Sequence, residues 1–155
     1  MPKQIAVIGA GKGSEETEKL SEEVGREIAM SGSILICGGL GGAMEAAARG
    51  AKEKGGITVG ILPGTNTSEA NEYIDIKIVT AMSHARNAII ARTADALIVV
   101  GGGHGTLSEI ALGLKSGKQV IVLEVNESLA DVKGVSLAKT PREAVEMALG
   151  GASAR

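Results

Sequence analysis

An α/β fold, a single-domain Rossmann-like doubly wound sheet, mainly parallel with helices on both faces, is predicted by three observations. Short β-branched runs alternate with helix-patterned segments. Those runs are continuously apolar, as strands covered on both faces are. Three of them also end in glycine-rich turns, where an α/β sheet places its ligands.

The strand candidates are residues 5–8, 34–37, 57–62, 74–79, 96–100 and 120–123, with a last short one at 135–137. Between them, residues 14–30, 42–54, 83–93 and 106–116 carry helix composition, most ending near a glycine that can serve as a C-cap. Thr140-Pro141-Arg142-Glu143 combines a capping threonine, a proline at the first helical position and a glutamate at the third, so a helix closes the chain. Parallel strands need right-handed crossovers, and this element order gives a doubly wound sheet. At 155 residues the chain is expected to form one domain, 1–155. Its longest irregular stretch, 63–72, reads as a surface excursion rich in Gly, Thr, Asn and Ser.

Composition narrows the function. Apolar residues make up 44% and charged residues 22%, but aromatics only 1%, so aliphatic side chains must fill the core. A net charge of −2 and a single aromatic, Tyr73, give no basis for binding nucleic acid. No apolar stretch approaches the roughly 18 residues of a membrane span, and the first residues lack the apolar core of an export signal. Cys37 lies in an apolar strand, where a buried thiol in a reducing, cytoplasmic setting is expected.

The glycine turns are Gly9-Ala10-Gly11-Lys12-Gly13, Gly38-Gly39-Leu40-Gly41-Gly42 and Gly101-Gly102-Gly103-His104-Gly105. Glycines at a strand-to-helix turn let backbone N–H groups approach an oxyanion, and the helix that follows adds positive potential. Any one such turn also serves close packing; three together point to a phosphate. Two familiar phosphate motifs fail. A dinucleotide fingerprint needs a glycine where Ser14 stands and an acidic residue after the second strand, where Gly38-Gly39 follows. A P-loop needs its lysine later than Lys12, which lies three residues after Gly9.

Two charges are misplaced for simple helix stability. Glu109 follows the third turn, where a phosphate site should avoid a carboxylate, unless Thr106-Leu107-Ser108-Glu109 is only a capping box. Arg86 falls in the first turn of the helix expected to start at Ser83, against the helix dipole. Together they suit a site that holds a phosphate and also engages a sugar hydroxyl or a water. His84 reads as a capping or surface group, and with His104 the second of only two histidines no metal site is expected. Met44 and Met82 flank the strand-end loops, where packing is their ordinary role.

The residues Gly38 to Ala48, His84-Ala85-Arg86 and Gly102-Gly103-His104-Gly105-Thr106-Leu107-Ser108-Glu109 resemble the superfamily of the LONELY GUY (LOG) phosphoribohydrolases and the molybdenum-cofactor carrier proteins. The resemblance spans most of the chain and implies a Rossmann-like nucleotide-binding domain. Members were long labelled possible lysine decarboxylases, but no lysine context here supports pyridoxal phosphate, and no cofactor is expected. Arg86 and Glu109 match the arginine and glutamate that the resemblance makes the catalytic pair. They would cleave the N-glycosidic bond of a nucleoside 5′-monophosphate into base and ribose 5-phosphate. Gly102, Gly103, His104, Gly105 and Thr106 would hold the phosphate, with Gly9, Lys12, Gly38, Gly39, Met82 and Asn87 as further ligand contacts. Gly101 stands where the hydrolases have proline, Asn87 where they have lysine, and Ser83 is an extra residue between Met82 and His84. These departures bring the motif closer to the carrier branch, so a non-catalytic carrier for a phosphorylated pterin is the alternative. The resemblance and the apolar look of segments 42–54 and 83–93 further predict a homodimer or higher homo-oligomer.

Overall fold

The computed structural model describes residues 1–102, 104–123 and 127–150. Its strands are β1 (Gln4–Gly9), β2 (Ile34–Cys37), β3 (Ile57–Leu62), β4 (Ile76–Val79), β5 (Ala96–Val100), β6 (Gln119–Leu123) and β7 (Ser136–Ala138). Its helices are α1 (Glu15–Met30), α2 (Ala43–Glu53), α3 (Asn87–Thr93), α4 (His104–Lys115), α5 (Glu127–Ala130) and α6 (Pro141–Ala148). The strands form one parallel sheet in the order β4-β3-β2-β1-β5-β6-β7. From β1 the chain winds outward to β4, then crosses back to β5 on the other side of β1. The carboxyl ends of β1 and β5 therefore flank the point where the winding reverses and a crevice opens.

Alternation along the central strands divides two apolar layers. Ile5, Val7, Leu35, Cys37, Ile98 and Val100 face α1, α2 and α6, whereas Ala6, Ile8, Ile36, Leu97 and Val99 face α3 and α4. The predicted terminus of α1 holds: the Ser14 hydroxyl accepts from Thr17 N–H at 3.1 Å, so the residue that spoils a dinucleotide fingerprint caps the helix instead. Thr140 does the same for α6, accepting from Glu143 N–H at 3.1 Å, while the Glu143 carboxylate reaches back to Lys139 N–H at 3.0 Å.

Helices α1 and α2 cross backbone to backbone. A side chain at Gly25 would overlap the Ala47 carbonyl oxygen, and one at Gly50 the Glu22 carbonyl oxygen. Ala43, Ala46, Ala47, Ala48 and Ala51 of α2 are buried. The apolar face of α2 that the sequence offers for self-association is thus consumed within the chain, while Ile76, Ile78 and Val79 of edge strand β4, and Met82 beyond it, are among the exposed large apolar residues.

Four expectations are corrected. Residues 83–93 are not one helix: Ser83–Arg86 form a 3₁₀ turn that passes into α3 at Asn87, and Ser83, at φ +54°, caps nothing with its side chain. Helix α4 begins at His104, so Thr106 lies inside its first turn, and Thr106 and Glu109 cannot be the N-cap and third residue of a capping box. The fourth strand begins at Ile76 because Thr58 holds the chain just before it, accepting from Asp75 N–H and donating from its hydroxyl to the Tyr73 carbonyl at 2.6 Å. The last strand is displaced by one residue from 135–137, and α5 carries no clear signal in the sequence.

Candidate functional site

A cavity of about 340 Å³ opens at the reversal point. Among the described residues it is lined by the end of β1 and the turn after it (Val7 to Gly11), by Gly38, Leu40 and Met44, and by His84, Arg86, Asn87, Thr106 and Glu109. Of the predicted contacts, Gly9, Gly38, Asn87 and Thr106 line it together with the pair Arg86 and Glu109, which the fold brings into one chamber from two different strand-to-helix connections.

Gly9 is fixed by packing as well as by access, since a Cβ there would lie 2.7 Å from the Val100 carbonyl oxygen and 2.6 Å from Ala43 Cβ. Gly38 makes room for the cation: a Cβ would lie 2.6 Å from Arg86 Nη2 and 2.7 Å from Met44 Sδ. Lys12 is exposed and does not line the cavity. Gly39 instead turns the chain at φ +80° against Leu62 and Gly60 of β3. Met82 is 46% exposed outside the cavity. Gly102, at φ +123°, shapes the turn before α4 without being a lining residue. Gly103 and the side chain of His104 lie outside the described residues, as does the environment of Gly105.

Arg86 is 8% exposed at the joint between the 3₁₀ turn and α3. Its Nη1 donates to the Asn87 side-chain oxygen and its Nη2 to the Gly38 carbonyl at 3.4 Å, while its buried Nε has no partner among the described residues. Burial lowers its pKa, and Glu109, Cys37 and Glu69 pull the other way. Burial pushes the Glu109 carboxyl up to about 7, against the attraction of Arg86. A carboxyl that titrates near neutrality can hold or release a proton at little cost, the property a general acid or base needs. Beneath them Cys37 is fully buried, its thiol raised to about 11 by desolvation, which fits the inert core thiol expected of it.

Sequence reasoning missed Leu40, Met44 and His84 as lining residues. Leu40, the one large apolar residue within Gly38-Gly39-Leu40-Gly41-Gly42, was a legible signal; His84 and Met44 acquire their position only through the turn and the helix start that carry them. Among the described residues no cluster of His, Cys, Asp or Glu could hold a metal, and no helix is long and apolar enough to cross a membrane.

A parallel sheet with a crevice at its reversal point, lined by glycine turns and holding a buried arginine and a glutamate, defines a Rossmann-like protein with a polar cavity at the carboxyl ends of its strands. Residues 2–146 match the SLOG cluster4 family, and the chain belongs to it. An uncharacterized protein of Archaeoglobus fulgidus is 52% identical over 142 residues, covering 92% of this chain and 91% of that one. A cytokinin riboside 5′-monophosphate phosphoribohydrolase of Rhodococcoides fascians is 36% identical over 141 residues, 81% of this chain and 70% of the relative. Among solved structures, the molybdenum cofactor binding protein of Rippkaea orientalis superposes with a TM-score of 0.91 at 37% identity, over 97% of each chain. The molybdenum cofactor carrier protein of Chlamydomonas reinhardtii superposes with a TM-score of 0.86 at 35% identity, over 97% of this chain and 99% of that one. The resemblance to the LOG and carrier superfamily is thereby established.

Proposed function

We propose that the cavity binds a phosphorylated, nucleotide-like ligand and that Arg86 and Glu109 hydrolyse the N-glycosidic bond of a nucleoside 5′-monophosphate. The observation that carries this reading is the pair itself: a buried arginine and a glutamate raised to about 7 share one 340 Å³ chamber. The phosphate lies against the start of α4 and Arg86, where backbone N–H groups and the guanidinium favour an anion. The Glu109 carboxylate takes a proton from a water whose oxygen adds to the anomeric carbon. The carbon–nitrogen bond breaks with its electron pair leaving on the base, which takes up the proton that Glu109 received from the water, so that the carboxylate is regenerated and ribose 5-phosphate remains. The carboxylate also stabilises the positive charge that builds on the sugar. The R. fascians relative, named for this reaction, supports the reading.

The test is incubation with a panel of nucleoside monophosphates, assayed for ribose 5-phosphate. Glu109→Gln should lower turnover on the order of a hundredfold while ligand binding survives. Arg86→Ala should weaken both. Because the base must be ionised, turnover should rise with pH through about 7.

A second reading, a carrier for a phosphorylated pterin such as molybdenum cofactor, is favoured by Asn87 and Gly101 in place of the hydrolase lysine and proline, and by the full-length likeness to the R. orientalis and C. reinhardtii proteins. Tight binding of a pterin phosphate, with no nucleotide cleaved across the panel, would select it. In either reading we propose a homo-oligomer, joined through the exposed Ile76, Ile78 and Val79 of β4. Light scattering that returned 15.6 kDa would rule that out.

A further inference from the structure

We propose that Asn71, outside the cavity, is a positioning residue that sets Arg86 for the site described above. This inference rests on that reading of the cavity. Among the described lining residues none comes from the connection between β3 and β4, yet this connection braces both segments that face Arg86. On one side, Asn71 N–H donates to the Gly39 carbonyl at 2.9 Å, and its side-chain amide donates to the carbonyls of Leu40, at 2.8 Å, and Gly39, at 3.3 Å. Its side-chain oxygen accepts from Tyr73 N–H at 2.9 Å, and the Tyr73 carbonyl is in turn held by the Thr58 hydroxyl of β3. One amide therefore ties the glycine turn after β2 to a strand of the sheet. That turn contains Gly38, whose carbonyl accepts from Arg86 Nη2, and Leu40, which lines the cavity.

On the other side, the carbonyls of Leu62, Pro63 and Gly64 accept from Thr80 Oγ1 at 2.7 Å, Ser83 N–H at 2.9 Å and Ala81 N–H at 2.8 Å. These bonds hold Ala81 and Ser83 at φ +55° and +54°, a conformation that side-chain-bearing residues adopt only when their surroundings impose it. The 3₁₀ turn that ends in Arg86 starts from there. Glu69, which accepts from Gly64 N–H at 2.8 Å, adds an attractive charge toward Arg86. Arg86 thus sits between two backbone segments, each clamped by the same connection. Among the described residues its own contacts, two outer nitrogens bonded and no partner at Nε, leave its placement to those two segments.

The clean perturbation is Asn71→Ser. A serine hydroxyl still accepts from the N–H two residues on, keeping the local turn, but it is too short to donate across to Leu40. Arg86 should then drift from Glu109. Since Arg86 holds the Glu109 titration down, the midpoint of the Glu109 carboxyl, followed by ¹³C NMR in the ligand-free protein, should rise by half a pH unit or more. Binding of adenosine 5′-monophosphate and of inorganic phosphate should weaken on the order of tenfold. Ser68→Ala is the control, because Ser68 lies exposed in the same connection and its side chain enters none of the bonds named above; it should move neither reading. A folded Asn71→Ser protein with the wild-type Glu109 midpoint would overturn the proposal. Should that variant not fold, Asn71→Asp keeps the acceptor for Tyr73 and puts a carboxylate oxygen in place of the donor, which repels the Gly39 and Leu40 carbonyls. An unchanged Arg86 side-chain ¹⁵N spectrum in Asn71→Asp would be equally fatal. Wild-type protein that bound neither probe would remove the proposed function, while the Glu109 midpoint would still decide the role of Asn71.

Discussion

Two arginine–glutamate clusters in this molecule behave in opposite ways. Where α1 crosses α2, Glu22 accepts from Arg49 Nε at 2.5 Å and from Arg26 Nη1 at 2.8 Å, Arg26 also meets Glu53 at 3.0 Å, and the Glu22 carboxyl is held below its ordinary range by those bonds. In the cavity, burial drives Glu109 up to about 7 although Arg86 pulls it down. The residue types are the same and the outcome is set by surroundings. The first cluster lies at the surface, where water solvates each charge and direct hydrogen bonds decide the sign; in the second, desolvation outweighs attraction. The backbone repeats the contrast. The α1–α2 crossing is close-packed through Gly25 and Gly50 in ordinary helix, while the cavity is reached through Ala81 and Ser83 at positive φ. One region is built for stability, and the other stores cost where chemistry is proposed.

The largest expected effect strikes the stable region. Gly25→Ala drives a methyl into the Ala47 carbonyl and should lower stability by about 3 kcal/mol. Read as a thermal melt, that is a fall of roughly 10 °C for a chain of this size. A melt within 2 °C of wild type would mean that the two helices part easily.

In the cavity the expected sign is reversed. A carboxyl at about 7 in the fold and 4.5 unfolded binds more protons when native, so its contribution to stability is fully present below about 4.5 and is lost as pH rises through 7. Glu109→Gln, neutral at every pH, should therefore be more stable than wild type at pH 8, on the order of 2 kcal/mol after allowing for partial solvation. It should match wild type near pH 4. Melting curves across that range that ran parallel for the two proteins would show that the carboxyl is not desolvated.

A smaller gain is expected at Ser83, where glycine adopts φ +54° without strain; Ser83→Gly should add about 1 kcal/mol in chemical denaturation. A loss would mean that the hydroxyl has a role the backbone geometry does not reveal. Smallest of all is Glu22→Gln, about 0.5 kcal/mol at neutral pH, because its ion pairs are partly solvated. Since this pKa is lowered in the fold, its contribution exists above the ordinary carboxylate value and is lost as pH falls through the lowered one. The deficit of the variant should therefore vanish in acid, opposite to Glu109→Gln.

The sequence by itself determined the sheet and its partition. Strands β2, β3 and β5 fall on the residues expected, because unbroken Ile, Val and Leu runs have no other stable place than a sheet covered on both faces. Helix starts written in local chemistry, Ser14 and Thr140, were equally legible, since a cap needs only a side chain and an N–H three residues on. The same local rule misled at Thr106 and Glu109. The pattern fits a capping box, yet the turn through Gly101 and Gly102 lets α4 start at His104 and frees the glutamate for the cavity. Arg86 and Glu109 could be picked out as misplaced charges, but not their environment: desolvation depends on what the crossing from β4 to β5 brings against them, and no window of sequence contains that. Lys12 and Gly39 shared the glycine-turn signal and still miss the cavity, because side-chain direction at a turn follows from packing against neighbouring strands. Only the tertiary structure decided that the apolar side of α2 is spent on α1, and that Asn71, one polar residue among many in its loop, bonds to carbonyls 31 and 32 positions away. Such bonds carry no local signature, since either partner would be satisfied equally well by water until the fold sets them side by side.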